Sequence, residues 1–449
     1  MGSTSDQFDL IVVGAGAGGL AAANRAVNLG ARVLVLEKSG AVGGSAMLSA
    51  GILWTAPDLE VLRRIQPNGD AELGAAVVRD YDLVKSDVEK TGVAVSEEWH
   101  DHLEWGRACK IDIPALFGAW QRKIEGSGRI DFEVADVELL TASRRVVGVR
   151  YTAGDGATVE ASAQGVVLAT GGFQGDPELR AQLIGPGADE VAVRSNPHSV
   201  GDGFRLGKRA GAGASTHLSR FYGHTLPSPV PVTAEVFLRL TLYFSAYGIA
   251  VNREGRRFTD ESLGDEVTNQ RLLGQTGQRG VLIWDDSVQR ERALAEPYPS
   301  GMVLDRHGEA KKIGARTAET DTLEELVETI GGWGVDGAAL ARTLDEYRRA
   351  ADGEPVALDA PLPERPSPLA RGPFRALEIQ PCMTIPFGGL RVDASSRVLD
   401  RDGAPVAGLY AAGADAGGAQ DLRYVGGIVF GFVFGRRAAD AALTADGER

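Results

Sequence analysis

The chain opens on FDLIVV (8–13), an uninterrupted apolar run of the kind found in a parallel strand covered on both faces. Residues 20–28, LAAANRAVN, are small and apolar at helical spacing, and ARVLVL (31–36) predicts a second buried strand. Far along the chain, GIVFGFVFGRRAADAAL (427–443) predicts an apolar helix entered through Gly426 and Gly427. Between these ends, DTLEELVETI (321–330) predicts a helix, with Thr322 and Glu325 spaced as a capping box. The densest prolines fall in LPSPVPV (226–232) and DGEPVALDAPLPERPSPLARGPF (352–374), which predict extended connections around an inserted segment.

Gly14, Gly16 and Gly19 form GxGxxG between the first strand and the first helix. In that position Gly14 makes the tight turn, Gly16 lets a pyrophosphate approach the backbone at the helix N-terminus, and Gly19 lets helix and strand pack closely. Glu37 ends the second strand about twenty residues on, where a carboxylate accepts from ribose hydroxyls. The pattern predicts a dinucleotide site. The sequel, SGAVGGSAMLSAG, does not enter another helix at once, as an NAD-binding half would. Its Gly43, Gly44, Ser45, Ser49, Ala50 and Gly51 form a small-residue track suited to an extended pyrophosphate and flavin.

Bulk properties narrow the partners. A chain of 449 residues exceeds one ordinary core and predicts two domains. A net charge of −14 and a pI near 5.1 argue against nucleic acid and anionic membranes. The longest apolar stretch, GIVFGFVF, is too short to span a bilayer. The two cysteines, Cys109 and Cys382, lie far apart, no metal-binding spacing is present and no signal peptide precedes the first strand. A reducing cytoplasm is the expected compartment.

The motif blocks GAGAGGLAAA, LEKSGAVGGSAMLSAG, VLATGGF (167–173), VGDGF (200–204) and GLYAAGADAGG (408–418) together resemble the FAD-dependent fumarate reductase/succinate dehydrogenase flavoprotein superfamily. The soluble branch with 3-ketosteroid and tricarballylate dehydrogenases is nearest in pattern. The similarity covers nearly the whole chain and is thinnest over 55–130. It implies an α/β protein: a Rossmann-like FAD-binding domain built from 1–222 and 375–449, and an inserted α+β cap, 223–374, for the substrate.

The same resemblance implies the FAD contacts. Gly14, Gly16, Ala17, Gly18, Gly19, Glu37 and Lys38 belong to the first motif, and the track from Gly43 to Gly51 follows. Val134 is expected at the adenine, and Ala169, Thr170 and Gly171 at the adenosine end. Asp202, Gly413 and Asp415 are expected near ribose or ribityl hydroxyls. Gly427, Ile428 and Val429 would aim helix amides at the flavin. Each of the polar ones has a plain alternative as a turn residue. Superfamily members with covalent FAD carry a histidine in the glycine–serine segment. GGSAMLSAG has none, so the FAD is expected to be non-covalent.

For chemistry, NREGRRFTDESLGDE (252–266) matches the superfamily's cap segment. Four residues after Glu261, fumarate reductases have a proton-donating arginine and 3-ketosteroid dehydrogenases a tyrosine; this chain has Asp265. In QDLRYVGG, Tyr424 stands at the arginine of fumarate reductases, where ketosteroid dehydrogenases have a carbonyl-binding tyrosine, and Ile428 supplies the partner amide. Thr384 and Ile385 replace a fumarate-reductase histidine. These departures point to α,β-dehydrogenation of a carbonyl compound, with hydride passing to flavin N5. Asp265 is the expected base, Tyr424 the carbonyl donor and His224 a polar contact.

Plain alternatives stand beside these roles: a solvated GDE loop, an ion pair of Asp265 with Arg253, Arg256 or Arg257, and a structural His224. Tyr243 and Tyr247 are reserve proton carriers or aromatic packing in a cap strand, and Arg257 and Glu261 support the loop. Reduction of an activated alkene and flavin binding without turnover are the competing functions. A small-molecule carbonyl substrate is expected, and the electron acceptor is left open.

Overall fold

The strand Leu10–Val13 is buried at every position and lies between two parallel neighbours, Gly165–Leu168 and Val33–Leu36. This is the setting that its unbroken apolar sequence requires. A six-stranded sheet runs in the order Arg397–Leu399, Pro405–Ala411, Gly165–Leu168, Leu10–Val13, Val33–Leu36, Arg129–Asp131. All pairs are parallel except the first, where Arg397–Leu399 is antiparallel. The structure is a computed structural model that describes residues 6–231, 233 and 236–444. Part of the polar leader (1–5) and Val232 of the first proline-dense stretch lie outside the described residues.

The first strand is shorter than its apolar run. Both the Asp9 and Leu10 amides donate to the Arg32 carbonyl, so the regular ladder begins at Leu10. The helix Ala17–Asn28 starts earlier than the apolar spacing predicts, directly at the glycine turn. It packs along the helix Gly427–Thr444, and Arg25 Nε donates to Asp440 Oδ1 at 2.6 Å. The approach is close: a Cβ on Gly435 would lie 2.2 Å from the Gly18 carbonyl oxygen.

The chain divides into two compact units. One comprises Met1–Asp189, Ser195–Phe221 and Ile385–Arg449, and contains the six-stranded sheet. The other comprises Glu190–Arg194 and Tyr222–Thr384. The second unit is α+β. Its sheet runs Leu226–Pro227, Phe374–Gln380, Gly280–Trp284, Ile249–Asn252 in antiparallel order, with Thr317–Thr320 also paired to Phe374–Gln380. Phe374–Gln380 thus runs through the 374/375 boundary placed from sequence, and its ladder bonds tie it to the second unit.

In that unit the helix Leu323–Gly331 carries both halves of the Thr322–Glu325 capping box. Tyr243 and Tyr247 do not lie in a strand. Tyr247 ends the short 3-10 turn Ser245–Tyr247, and the strand starts only at Ile249.

Candidate active site

In the first unit, the glycine turn is built as its spacing predicts. Gly14 has φ +105°, and a Cβ there would meet the Ala169 carbonyl oxygen at 2.3 Å. A Cβ on Gly19 would fall 1.8 Å from the Gly14 oxygen. Gly16 differs: its φ is −80° and a Cβ would meet nothing within 4 Å. The opening beside Gly16 is therefore not needed by the protein's own packing. The helix that follows has no side-chain cap, so its first-turn amides have no N-cap side chain to bond, the arrangement that suits an anion.

The second glycine segment joins the first. Gly16 and Gly43 form a parallel bridge, and the Gly43 amide donates to the Ala15 carbonyl at 2.8 Å. Ser45 Oγ is 2.8 Å from Ser195 Oγ. Ser49 folds back on the Ala46 carbonyl, and its Oγ accepts from the Gly51 amide, Ala50 lying between them. Glu37 fixes the turn from below: Oε2 accepts from the Ala15 amide at 2.8 Å, and Oε1 from the Ser39 amide and hydroxyl. Its carboxylate still has acceptor capacity for a hydroxyl. Open backbone at a helix N-terminus, a second glycine track and a fixed carboxylate together fit an extended dinucleotide.

Other sequence-selected residues have partners within the unit. Val134 is buried, and its amide donates to the Glu37 carbonyl at 3.1 Å. Asp415 is buried and accepts from the Thr170 amide and hydroxyl and the Gly172 amide, which flank Gly171. Burial pushes its carboxyl above the usual range. Asp415 therefore clamps the turn after Ala169 and, like Glu37, keeps acceptor capacity. Asp202 pairs with Lys38 Nζ at 2.5 Å, both partly exposed. Gly413 has φ +62° and starts the turn that carries Asp415.

Tyr424 lies just ahead of the helix Gly427–Thr444. Its Oη accepts the Gly427 amide at 2.6 Å, and its ring meets Trp54 edge-on at 5.5 Å. The phenol caps the helix N-terminus beside Ile428 and Val429.

The second unit holds a buried polar chain. His224 Nε2 is 2.6 Å from Tyr222 Oη, and His224 Nδ1 is bonded to Asp265 Oδ2. Asp265 Oδ1 accepts from the Thr225 amide at 3.1 Å and from the Thr225 and Ser245 hydroxyls. A carboxylate can only accept, so Nδ1 carries the ring proton and Nε2 accepts from the Tyr222 hydroxyl. Burial, and the Arg194 cation beyond it, push the His224 pKa down and keep the ring neutral, against Asp265 and Glu266. His224 and Asp265 are buried, while Tyr222 is partly exposed. The chain thus runs from interior to surface.

The loop alternatives for Asp265 are not what the structure shows. It starts the helix Asp265–Leu272 and is buried, so it is not a solvated loop residue. None of the three arginines pairs with it: Arg257 pairs with Glu261, and Arg256 with Asp359. Arg253 packs over Gly277, and its carbonyl accepts the Asp336 amide. Arg257 and Glu261 are fully buried, and Arg257 also donates to the Ala360 and Pro361 carbonyls, which makes the pair a support for the loop. Tyr222 was not singled out in the sequence, although its spacing of two from His224 puts both side chains on one side of an extended segment. No comparable local signal marks Arg194.

The family model described as "FAD binding domain" matches residues 9–74 and 99–429. The chain belongs to the FAD binding domain family. As a member of that family it is an FAD-dependent oxidoreductase, and its dinucleotide is FAD. Among its relatives is the fumarate reductase (cytochrome) of Shewanella frigidimarina, 28% identical over 97% of this chain and 77% of that protein. Another is the 4-oxocyclohexanecarboxylate 2-dehydrogenase of Sinomonas cyclohexanicum, 26% identical over 99% of this chain and 95% of that protein. The fold is shared with the 3-ketosteroid delta1-dehydrogenase of Sterolibacterium denitrificans, with a TM-score of 0.76 and 20% identity over 98% of this chain and all of that one. Among the described residues no helix is long and apolar enough to cross a membrane, and no cluster of His, Cys, Asp and Glu is arranged to hold a metal ion.

Proposed function

We propose that this flavoprotein oxidises a carbon–carbon single bond next to a carbonyl group, with Tyr222, His224 and Asp265 as its proton carrier. The hydrogen-bonded chain of these three residues is the observation that carries the reading. FAD, when bound, takes up the hydride. Glu37, the Gly14–Gly19 turn and the Gly43–Gly51 track hold the cofactor without a covalent bond, as the absence of a histidine from that track suggests.

In this scheme Tyr222 takes the α-proton while its own phenolic proton passes to His224 Nε2. Asp265 keeps Nδ1 protonated and stabilises the imidazolium that forms, the part played by the acid in a serine–histidine–aspartate triad. A histidine kept neutral by burial is set to receive a proton, which favours dehydrogenation. Asp265 acts through His224 and is a positioning residue. Tyr424 supplies a hydroxyl to the substrate carbonyl, and the Ile428 amide a second donor.

The second reading runs the same relay backwards, with Tyr222 donating a proton to the α-carbon of an activated alkene that takes hydride at its β-carbon. The fumarate reductase among the relatives favours it. The substrate is a cyclic ketone, a steroid-like enone or a carboxylate.

An anaerobic absorbance titration separates the two. The yellow protein is mixed with cyclohexanones, ketosteroids, succinate or tricarballylate. Bleaching of the flavin band by one class identifies the dehydrogenase and its substrate. No bleaching, with reoxidation of dithionite-reduced protein by the matching unsaturated compounds, gives the reductase. Inertness to both removes catalysis at a carbon–carbon bond.

A further inference from the structure

Arg306 begins the helix Arg306–Lys312 in the second unit and is only 2% exposed. Among the described residues its only hydrogen bond is a long one, Nη2 to the Met302 carbonyl at 3.4 Å, and Nε is buried with no partner there. The guanidinium carbon lies 5.3 Å from the centre of the Tyr243 ring. Tyr243 meets His224 edge-on at 5.6 Å and Tyr298 at 5.9 Å, and the two phenols are hydrogen-bonded. Among the described residues no carboxylate acts on Arg306; its electrostatic neighbours there are these two phenols, and burial lowers its pKa.

Two other buried arginines, Arg257 and Arg180, are handled differently, whereas the Nε atom of Arg194 is also buried and makes no hydrogen bond among the described residues. Arg257 has the Glu261 carboxylate and backbone carbonyls. Arg180 donates to three carbonyl oxygens, those of Gln174, Ala188 and Asp189. A guanidinium taken out of water needs such partners, because desolvation of an uncompensated charge is strongly unfavourable. A cation–π contact replaces only part of that loss. The Arg194 charge also reaches Tyr243 and Tyr298, so the cluster is doubly cationic there. Of the acids that bear on it, Asp265 is committed to His224 and Thr225, and Glu266 lies on the His224 side.

We propose that Arg306, with Tyr243 and Tyr298, is the binding site for a carboxylate group of the substrate. A planar guanidinium pairs with a carboxylate through two parallel hydrogen bonds, which its unused donors allow. The phenol pair, one of whose protons is used between them, leaves one further O–H donor, and the Tyr243 ring links this site to His224. For its substrate the assignment rests on the redox reading above. It narrows that reading to molecules carrying an acid group away from the reacting bond.

The test is calorimetric titration of the FAD-loaded protein with cyclohexanecarboxylate and with its methyl ester, in wild type and in Arg306→Gln. The carboxylate is expected to bind wild type more tightly than the ester, and to lose about tenfold or more in affinity in Arg306→Gln. The ester should be unaffected. Equal carboxylate affinity in wild type and variant overturns the site, as does equal binding of acid and ester by wild type. Should Arg306→Gln not fold, Arg306→Lys keeps the cation without the planar fork. It should weaken the carboxylate severalfold and spare the ester, and an unchanged carboxylate affinity overturns the site. Flavin bleaching by a carboxylic acid whose affinity ignores Arg306→Gln would sink the site and leave the redox reading. Loss of carboxylate binding in Arg306→Gln, in a protein that no compound bleaches or reoxidises, would do the reverse.

Discussion

Asp265 lies directly behind His224, its Oδ2 on Nδ1, and its other oxygen is held by Thr225. The aspartate therefore sets the tautomer of the ring and leaves Nε2 facing Tyr222. Asp265→Asn should lower kcat about a hundredfold while the flavin spectrum is unchanged. Tyr222→Phe should cost at least as much, since it removes the group at the exposed end. Steady-state kinetics with a spectrum of each variant decide this. A Tyr222→Phe enzyme of near-normal kcat would take the tyrosine out of the relay.

The depressed pKa of His224 makes a pH prediction. The folded value lies below the ordinary 6.5, because burial and Arg194 outweigh Asp265 and Glu266. The histidine is then neutral above pH 6.5, and the acid limb of kcat/KM should lie below that value. For stability the sign is the same as for any depressed group: the contribution is present above the unfolded value and lost as pH falls through the folded one. Urea midpoints followed from pH 8 to pH 5 should fall more steeply in wild type than in His224→Gln. Parallel curves would show that the ring is not held neutral by the fold.

Two glycines of one motif should fail in different ways. Gly16→Ala places a methyl in open space at an ordinary φ. The FAD-free protein should keep its stability while FAD affinity falls about tenfold, or about 1.4 kcal/mol. Gly19→Ala drives a methyl into the Gly14 carbonyl and should destabilise the fold by about 1–3 kcal/mol. Flavin fluorescence titrations and thermal melts of both variants separate binding from folding. Equal FAD affinity in Gly16→Ala and wild type would place the pyrophosphate elsewhere.

Tyr424 accepts the first amide of a long helix. Tyr424→Phe should lower stability by about 1 kcal/mol, as loss of a helix cap does. If the hydroxyl also serves a substrate carbonyl, KM or kcat changes as well. A stability loss with unaltered kinetics would confine the residue to capping.

The Arg257–Glu261 pair is buried and bonded throughout. Arg257→Met leaves Glu261 uncompensated and should destabilise by about 3–5 kcal/mol. Replacing both residues by Met should recover much of that loss. Denaturant melts of the single and double variants test this, and a single variant as stable as wild type contradicts it.

Much of the cofactor site was legible because its determinants are local. The GxGxxG turn, the two buried strands and Glu37 lie within one short stretch, and the Thr322–Glu325 box within one helical turn. Each is fixed by spacing. The proton relay is not of that kind. His224 and Asp265 stand 41 positions apart, and both were singled out, but nothing local says that one carboxylate serves the other. Asp415 shows the converse. Its sequence block resembles a ribose-binding one, but nothing in that block says that its oxygens also accept from a turn 245 positions earlier. Strand ends were also misjudged, at Phe8 and around Tyr243, where apolar composition continues after the hydrogen-bond ladder has stopped.

The contact between Arg25 and Asp440 spans 415 positions of chain. The helix at the nucleotide turn rests on one that emerges from the ribosome almost a whole chain later. Until that partner arrives, Gly18 has no surface to close against, and the turn is part of a nascent segment with its apolar flank uncovered. The close-packed form of the glycine turn is therefore complete only once the last helix has been made.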